Sequence, residues 1–329
     1  MGDRNMLSVE PKDLPRIQVG KYLLGGVAPR PIAFVSTISS DGRKNLSPFS
    51  FFNAFGQNPP VVAFSPSRRG RDNTTKDTYE NIMENKECVI SAVTHSMVEQ
   101  MNLASCEFGP DVDEFEQAGF TAIDSDIVKP KRVAESPFQL ECKLMQMVEL
   151  GGKNASGNLA ICEVVKFHIA EDIIREDGFL DPQKLDHVGR NGAAYYTRAF
   201  GDAVFEVPKP GMVKGIGFPA MPDYIKESNI YTANNLGRFG LVEKIPSEDQ
   251  ALSFIKNYEM IEATEGSFLR YRVADDTENM LRSALFLEDS NHPKAPKFFE
   301  MTAKTAIEKD ERDFAWNVAV YKGLKYGSK

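Results

Sequence analysis

Short β-branched and aromatic runs, punctuated by turn residues, dominate the chain from Ile32 to about Ala170, and two short helical patterns interrupt them. The runs predict strands over residues 32–38, 45–55, 61–65, 88–93, 138–149 and 159–169. Ser40-Asp41-Gly42, between the first two, has the chemistry of a tight hairpin. A helix is predicted over residues 76–85, capped by Thr74 or Thr75, with Tyr79, Ile82 and Met83 on one face. Another begins after Ser96, where Ser96 and Glu99 match a capping box ahead of Met101, Leu103 and Ala104. Neither helix alternates with strands at the rhythm of a doubly wound sheet, so both read as insertions in a mainly β (β+α) unit.

The pattern changes after Pro210, where a Pro- and Gly-punctuated stretch gives way to charge-rich helical periodicity. Ser247 and Gln250 form a capping box before Leu252, Phe254, Ile255 and Tyr258. Met280, Leu281, Ala284 and Leu285 mark a further helix, and Phe314, Ala315, Val318 and Ala319 a last one. The expected division is a β domain over 1–210 and a helix-rich C-terminal extension over 211–329. Short amphipathic helices are unstable alone in water, so these stripes must dock on the β domain or on a partner subunit.

A chain of 329 residues with 42% hydrophobic and 26% charged residues can bury a proper core. Its net charge of −8 opposes attraction to nucleic acid or to an anionic membrane, and neither is expected as a partner. The N-terminal residues lack a signal-peptide apolar region, and Met6 stands where a myristoylation motif at Gly2 needs Ser or Thr, which predicts a cytoplasmic location. Cys88, Cys106, Cys142 and Cys162 have neither metal-ligand nor redox spacing, so no metal is expected and the thiols read as buried and reduced.

Signatures of phosphate loops, dinucleotide folds, zinc proteases and serine hydrolases are absent, and His95, His168, His187 and His292 are too few and scattered for a triad or metal cage. The chemistry concentrates between Ala28 and Ile82. Arg30 sits between two prolines at a strand entrance. The run Asn45-Leu46-Ser47-Pro48-Phe49-Ser50-Phe51-Phe52-Asn53 mixes small polar residues with aromatics that can line a flat slot. Phe64-Ser65-Pro66-Ser67-Arg68-Arg69, followed by Lys76-Asp77-Thr78 at a helix start, offers hydroxyls, cations and free N–H groups for a phosphate. Each feature alone reads more simply as strand core or solvated loop. Together they suit a planar heteroaromatic ring carrying a terminal phosphate, as in FMN.

The ordered segments PRPIAFVSTISSDGRKNLSPFSFFNAF, NPPVVAFSPS and KDTYENI resemble the flavin reductase-like, FMN-binding split-barrel family, which includes flavoredoxin-type proteins. The likeness spans about residues 20–198 and ends in DGFLDPQKLDHVGRNGAAYYTR. It implies a split β-barrel with inserted helices that works as a homodimer. It also implies that Ser47, Pro48, Phe49, Ser50, Phe51 and Phe52 cradle the ring, and that Ser65, Ser67, Lys76 and Thr78 hold the phosphate. By the same resemblance Arg30 and Asn53 lie near the flavin edge, with Arg190 and Tyr195 closing the pocket. Ser91 departs from the family's Asn-containing run. The implied activity is NAD(P)H-dependent reduction of bound FMN, with electrons passed to a flavin or another small acceptor and no catalytic side chain. The alternatives are a non-enzymatic flavoredoxin-type carrier and a structural module acting through its C-terminal helices. In the sharper reading of the tail, Asn234, Asn235, Arg238 and Phe239 form a Gly-flanked loop overhanging the flavin mouth.

Overall fold

The computed structural model describes residues 5–109, 111–207, 209–212 and 214–327, so Gly2 lies outside it. Contacts divide the chain into two compact units, Met1–Glu206 and Val207–Lys329. The first opens with helix α1 (Arg16–Gly26) and strands β1 (Ala33–Ile38), β2 (Lys44–Phe49), β3 (Phe52–Gln57) and β4 (Pro60–Phe64). Then come α2 (Asp77–Asn85), β5 (Glu87–Ser91), α3 (Val98–Leu103), α4 (Glu114–Ala118) and the two-residue strands β6 (Ala122–Ile123) and β7 (Arg132–Val133). The long strands β8 (Phe138–Glu149) and β9 (Asn158–Ile169), helix α5 (Pro182–Leu185) and a hairpin of β10 (Val188–Arg190) and β11 (Tyr196–Arg198) complete it.

Seven strands form one antiparallel sheet in the order β2-β1-β5-β8-β9-β4-β3. The alternation of β1 sends Ala33 and Val35 into a cluster with Phe49, Phe64, Ile90 and Leu140, while Phe34 joins Leu46, Met101, Phe115 and Phe120 on the opposite face. Burial on both faces explains why β1 reads as a continuous apolar run. The single strand expected over 45–55 is two strands. The chain bends at Ser50 and Phe51, so that β2 pairs with β1 and β3 pairs with β4 at the other end of the order. Aromatics on both sides of the bend hide it from a period-2 reading. The β1–β2 hairpin is present, with Gly42 at φ +90° and Ser39 N–H donating to the Arg43 carbonyl at 3.0 Å.

Helix α2 covers the barrel through Ile82 and through buried polar contacts. Thr78 Oγ1 donates to Asn45 Oδ1 at 2.8 Å, and Asn81 Nδ2 to Thr37 Oγ1 at 3.1 Å. Neither expected threonine caps it. Lys76 is the N-cap and makes no side-chain bond there, while Thr74 donates to Asp72 and Thr75 to Glu80. The Ser96–Glu99 box is also not formed: a 3-10 turn over His95–Met97 precedes α3, and Ser96 Oγ pairs with Thr94 Oγ1 at 2.8 Å. The tertiary contacts of these short elements outweigh the local capping signal. Cys88, Cys142 and Cys162 are buried free thiols, whereas Cys106, expected to be buried, is exposed.

Two charged side chains hold this unit together. Arg30, only 5% exposed, has its donors committed on several sides. Its Nε donates to Ser50 Oγ (3.3 Å), Nη1 to the carbonyls of Leu24 (2.6 Å) and Val27 (2.5 Å), and Nη2 to the Asn191 carbonyl (3.2 Å). It therefore ties the end of α1, the β2–β3 bend and the β10–β11 hairpin together. Glu141 on β8 is fully buried, yet it accepts from the backbone N–H groups of Asp126, Ile127 and Val128 at 2.7–2.9 Å and sits 2.6 Å from His168 Nε2. Burial pushes its carboxyl up, but the Asp126 N–H, His168 and the other two N–H groups outweigh that and hold it at about 2, below the ordinary 4.5.

The second unit is helical: α6 (Asp223–Lys226), α7 (Ala233–Phe239), α8 (Glu248–Ile255), α9 (Glu265–Val273), α10 (Thr277–Asp289), α11 (Ala295–Glu308) and α12 (Arg312–Tyr326). The Ser247–Gln250 capping box forms as expected. The apolar stripes pack on one another in a single cluster around Phe239, Phe268, Phe299 and Trp316. Trp316 lies 5.2 Å from Phe239 edge to face and donates its indole N–H to the Phe239 carbonyl at 3.1 Å. The expected loop at Asn234, Asn235, Arg238 and Phe239 is helix α7. Asn235 completes a capping box with Thr232 and bonds Glu308, Arg238 donates to the Ile307 and Glu308 carbonyls, and Phe239 is core. Those commitments occupy Asn235, Arg238 and Phe239, while Asn234 is exposed on the helix.

A carboxyl held below its unfolded value stabilises the fold fully above about pH 4.5, and this contribution is lost as pH falls through about 2. Glu141→Gln replaces one acceptor oxygen with an NH2 group facing backbone donors and should cost about 2–4 kcal/mol at neutral pH. Acid titration followed by far-UV circular dichroism should show the parent losing stability between pH 4.5 and 2. The variant should lose less over that window, and equal acid sensitivity would remove Glu141 from this role. Arg30→Lys cannot reproduce the divergent planar bonds and should lower stability by about 1–3 kcal/mol, read by urea denaturation.

Candidate functional site

Two features of the first unit, a small cavity and a group of cations, form the candidate site. The cavity, of about 180 Å3, is walled by Pro48 and Ser50 from the end of β2, Asn102 in α3 and Ser105 beyond it, and Arg190 and Tyr196 from the hairpin. Arg190 stacks its guanidinium 4.5 Å from the Tyr196 ring centre. Among the described residues its side chain has neither an ion pair nor a hydrogen bond. Backbone pairing of Arg30 with Arg190, at 2.9 and 2.8 Å, fixes the hairpin against the β1 entrance.

Beyond Ser105, Glu107 leads to the cations, pairing with Arg71 and lying 3.9 Å from Arg69. Arg69 also contacts Asp77 at 3.6 Å and donates to the Thr75 carbonyl. Lys76, half-buried at the start of α2, lies 5.7 Å from the centre of the Phe49 ring. Burial, then the charge of Arg69, pushes its ammonium below the ordinary lysine value. Among the described residues Lys76 makes no direct ion pair or hydrogen bond, and the carboxylates of Glu107 and Asp77 act on it only through space. A half-buried cation with no direct ion pair beside an aromatic ring suits an anionic group supplied from outside.

The structure brings together Pro48, Ser50 and Arg190 in one wall, and Phe49 and Lys76 at the cation group. Phe49 packs into the core on Phe64, with ring centres 5.5 Å apart. Ser47 is half-buried opposite Val35, Phe51 is 46% exposed beside Arg30, and Asn53 is exposed with its Oδ1 accepting from Ala54 N–H. Ser65 and Ser67 pair hydroxyls at 3.2 Å, and Ser65 also accepts from Asn158 N–H. Thr78 is buried and spends its hydroxyl on Asn45. Tyr195 is 73% exposed, while Tyr196 supplies the wall. Phe52 lines a separate apolar cavity with Arg30. Asn102 and Ser105 escaped the sequence reading, although their polarity against the apolar Met101 and Ala104 face was the available signal.

Residues 25–202 match the family described as flavin reductase like domain. An uncharacterized protein of Aquifex aeolicus (strain VF5) is 40% identical over 187 residues, covering 57% of this chain and 93% of its own. Nitrilotriacetate monooxygenase component B from Bacillus cereus superposes with a TM-score of 0.59 at 31% identity over 62% of this chain and all of its own. Pseudomonas fluorescens 2-nitrobenzoate 2-nitroreductase NbaA follows with 0.54 at 27% identity, covering 61% of this chain and 96% of its own. A split barrel domain protein from Shewanella frigidimarina NCIMB 400 gives 0.52 at 25% identity over 60% and 95% of the two chains. Among the described residues no helix is long and apolar enough to cross a membrane. With residues 25–202 of its 329 in the family match and a split barrel domain among its structural neighbours, the chain belongs to the flavin reductase-like split-barrel family.

Proposed function

We propose that residues 1–210 form a domain that binds FMN and reduces it with NADH or NADPH, and that residues 211–329 are a helical extension. The observation that carries this reading is Lys76, a half-buried cation with no ion pair or hydrogen bond among the described residues, in the same unit as a cavity walled by polar and aromatic groups. The donor set fits the cofactor. Lys76 and Arg69 would hold the phosphate; Pro48, Ser50, Asn102, Ser105, Arg190 and Tyr196 would hold the ring. When bound, FMN supplies hydride acceptance and onward electron delivery. The chain's task is then to orient its ligands and to set a positive potential, and the unpaired guanidinium of Arg190 is placed to stabilise negative charge on a bound ring. No nucleophile or titrating His is required, which agrees with the scatter of the four histidines. The two neighbours named for monooxygenase and nitroreductase reactions support an oxidoreductase role.

The same reading takes the protein as a homodimer. Strand β3 is an edge of the sheet, exposed along nearly all its length, with Phe51 46% and Phe55 68% exposed around it. An exposed apolar edge strand of this kind calls for a cover, and two-fold pairing is the commonest form.

Purified protein loaded with FMN should show a bound-flavin absorption spectrum that bleaches on anaerobic mixing with NADH or NADPH; failure to take up FMN would remove the proposal. Lys76→Ala should weaken FMN by about 1.5–3 kcal/mol, roughly ten- to a hundredfold, and leave riboflavin nearly unaffected. Fluorescence titration of both ligands decides this, and equal losses would refute the phosphate assignment. Light scattering should give twice the 36.7 kDa chain mass, and Phe55→Lys should shift the population toward monomer.

A further inference from the structure

An apolar cavity of the first unit lies at the β1 entrance, apart from the candidate flavin site. It has a volume of about 230 Å3. Its walls come from the β1 entrance at Pro29 and Ile32, the rings of Phe52 and Phe138, and Leu140 and Val188. Ile32 also lines the smaller cavity, so one side chain separates the two. An apolar cavity of about 150 Å3 already accepts a benzene ring, so the volume here suits one six-membered ring with a substituent.

Polar atoms on this wall are few, and each has a readable state. Ser91 is 1% exposed, and its Oγ is buried with no hydrogen-bond partner. Buried hydroxyls are almost always paired, so an orphan requires an explanation. Of the buried side-chain atoms without partners among the described residues, Ser91 Oγ alone belongs to a residue lining this cavity. His187 also lines it, and its ring makes no hydrogen bond among the described residues. Burial lowers its pKa and the opposing charge of Asp186 acts the other way, so the imidazole is neutral at neutral pH. Arg30 lines the cavity too, but its guanidinium is turned to Leu24, Val27, Ser50 and Asn191. Thr197 lines it as well, its hydroxyl accepting from Asn191 Nδ2 at 2.7 Å, so the wall offers the neutral groups of Ser91, His187 and Thr197 and no uncommitted charge.

We propose that this cavity binds a neutral single-ring compound bearing one hydroxyl or carbonyl group, which completes the hydrogen bonding of Ser91 while its ring packs against Phe52, Phe138 and Leu140. The site is independent of the flavin reading, because none of its lining contacts requires a bound nucleotide. A polar substituent on the ring relieves the orphaned hydroxyl, whereas a carboxylate would enter without a counter-charge.

Calorimetric titration of the full chain with phenol, toluene and benzoate tests this. Phenol should bind saturably at one site per chain, toluene more weakly, and benzoate not measurably. Ser91→Ala should weaken phenol about five- to tenfold and leave toluene unchanged. It should also leave the thermal transition where it was or raise it, because it removes an unpaired buried hydroxyl. Ala199→Leu, which places extra volume at the cavity wall, should abolish binding of both rings. Absence of saturable phenol binding, parent-like phenol affinity in Ser91→Ala, or benzoate binding as tight as phenol would each overturn the proposal.

Discussion

The bend at Ser50 and Phe51 is the constraint on which the β unit depends. Two residues separate β2 from β3, yet these strands occupy opposite ends of the seven-strand order, so the sheet must roll until its two edges meet at that corner. Other contacts report the same closure. Phe49 of β2 meets Phe64 of β4, and Arg30 reaches Ser50. The long β8–β9 pair accommodates the curvature through register shifts at Glu141/Cys142 and Leu144/Gln146. Arg30 is thus best described as a positioning residue. By joining the bend to the hairpin backbone it holds Ser50 and Arg190 in one wall.

Charge in this unit follows a division of labour set by desolvation. A buried ion is tolerated where several dipoles or donors surround it, and both Glu141 and Arg30 satisfy that condition within the chain. Lys76 and Arg190 do not: they rest on aromatic faces, which stabilise a cation without neutralising it. In a chain of net charge −8, two cations with no direct ion pair among the described residues raise the local positive potential against that of the rest of the surface. That contrast favours an anionic ligand at this place over general anion binding.

Much of this architecture was legible in the sequence where it rests on local periodicity. Strand β8 falls on its expected bounds, the β1–β2 hairpin forms at its Asp-Gly turn, and the Ser247 capping box is present. What escaped depends on partners distant in sequence. Thr78 looks like a phosphate ligand beside Lys76, but Asn45, thirty-three residues away, takes its hydroxyl. Arg30 looks like an aimed guanidinium, but carbonyls from α1 and from Asn191 consume it. The break within residues 45–55 is invisible because strand alternation reads the same on both sides of a bend. Asn102 reaches the cavity from within α3, and Ser105 from the turn that follows Leu103.

The C-terminal unit shows why an amphipathic stripe is weak grounds for a partner. Its apolar positions call for burial, and the sequence alone leaves open where that burial happens. Here they meet one another: Phe239, Tyr231 and Trp316 stack edge to face, Phe254 and Tyr258 close on Phe314, and Phe268 packs on Phe298. The indole N–H of the chain's single tryptophan is satisfied inside that core, and Arg238 spends its guanidinium on the carbonyls at the end of α11. These bonds connect residues some seventy positions apart within the one unit, so its helices are stabilised by their own tertiary packing. A role for this unit must therefore be sought in what its surface offers, since its apolar stripes are already accounted for by its own core.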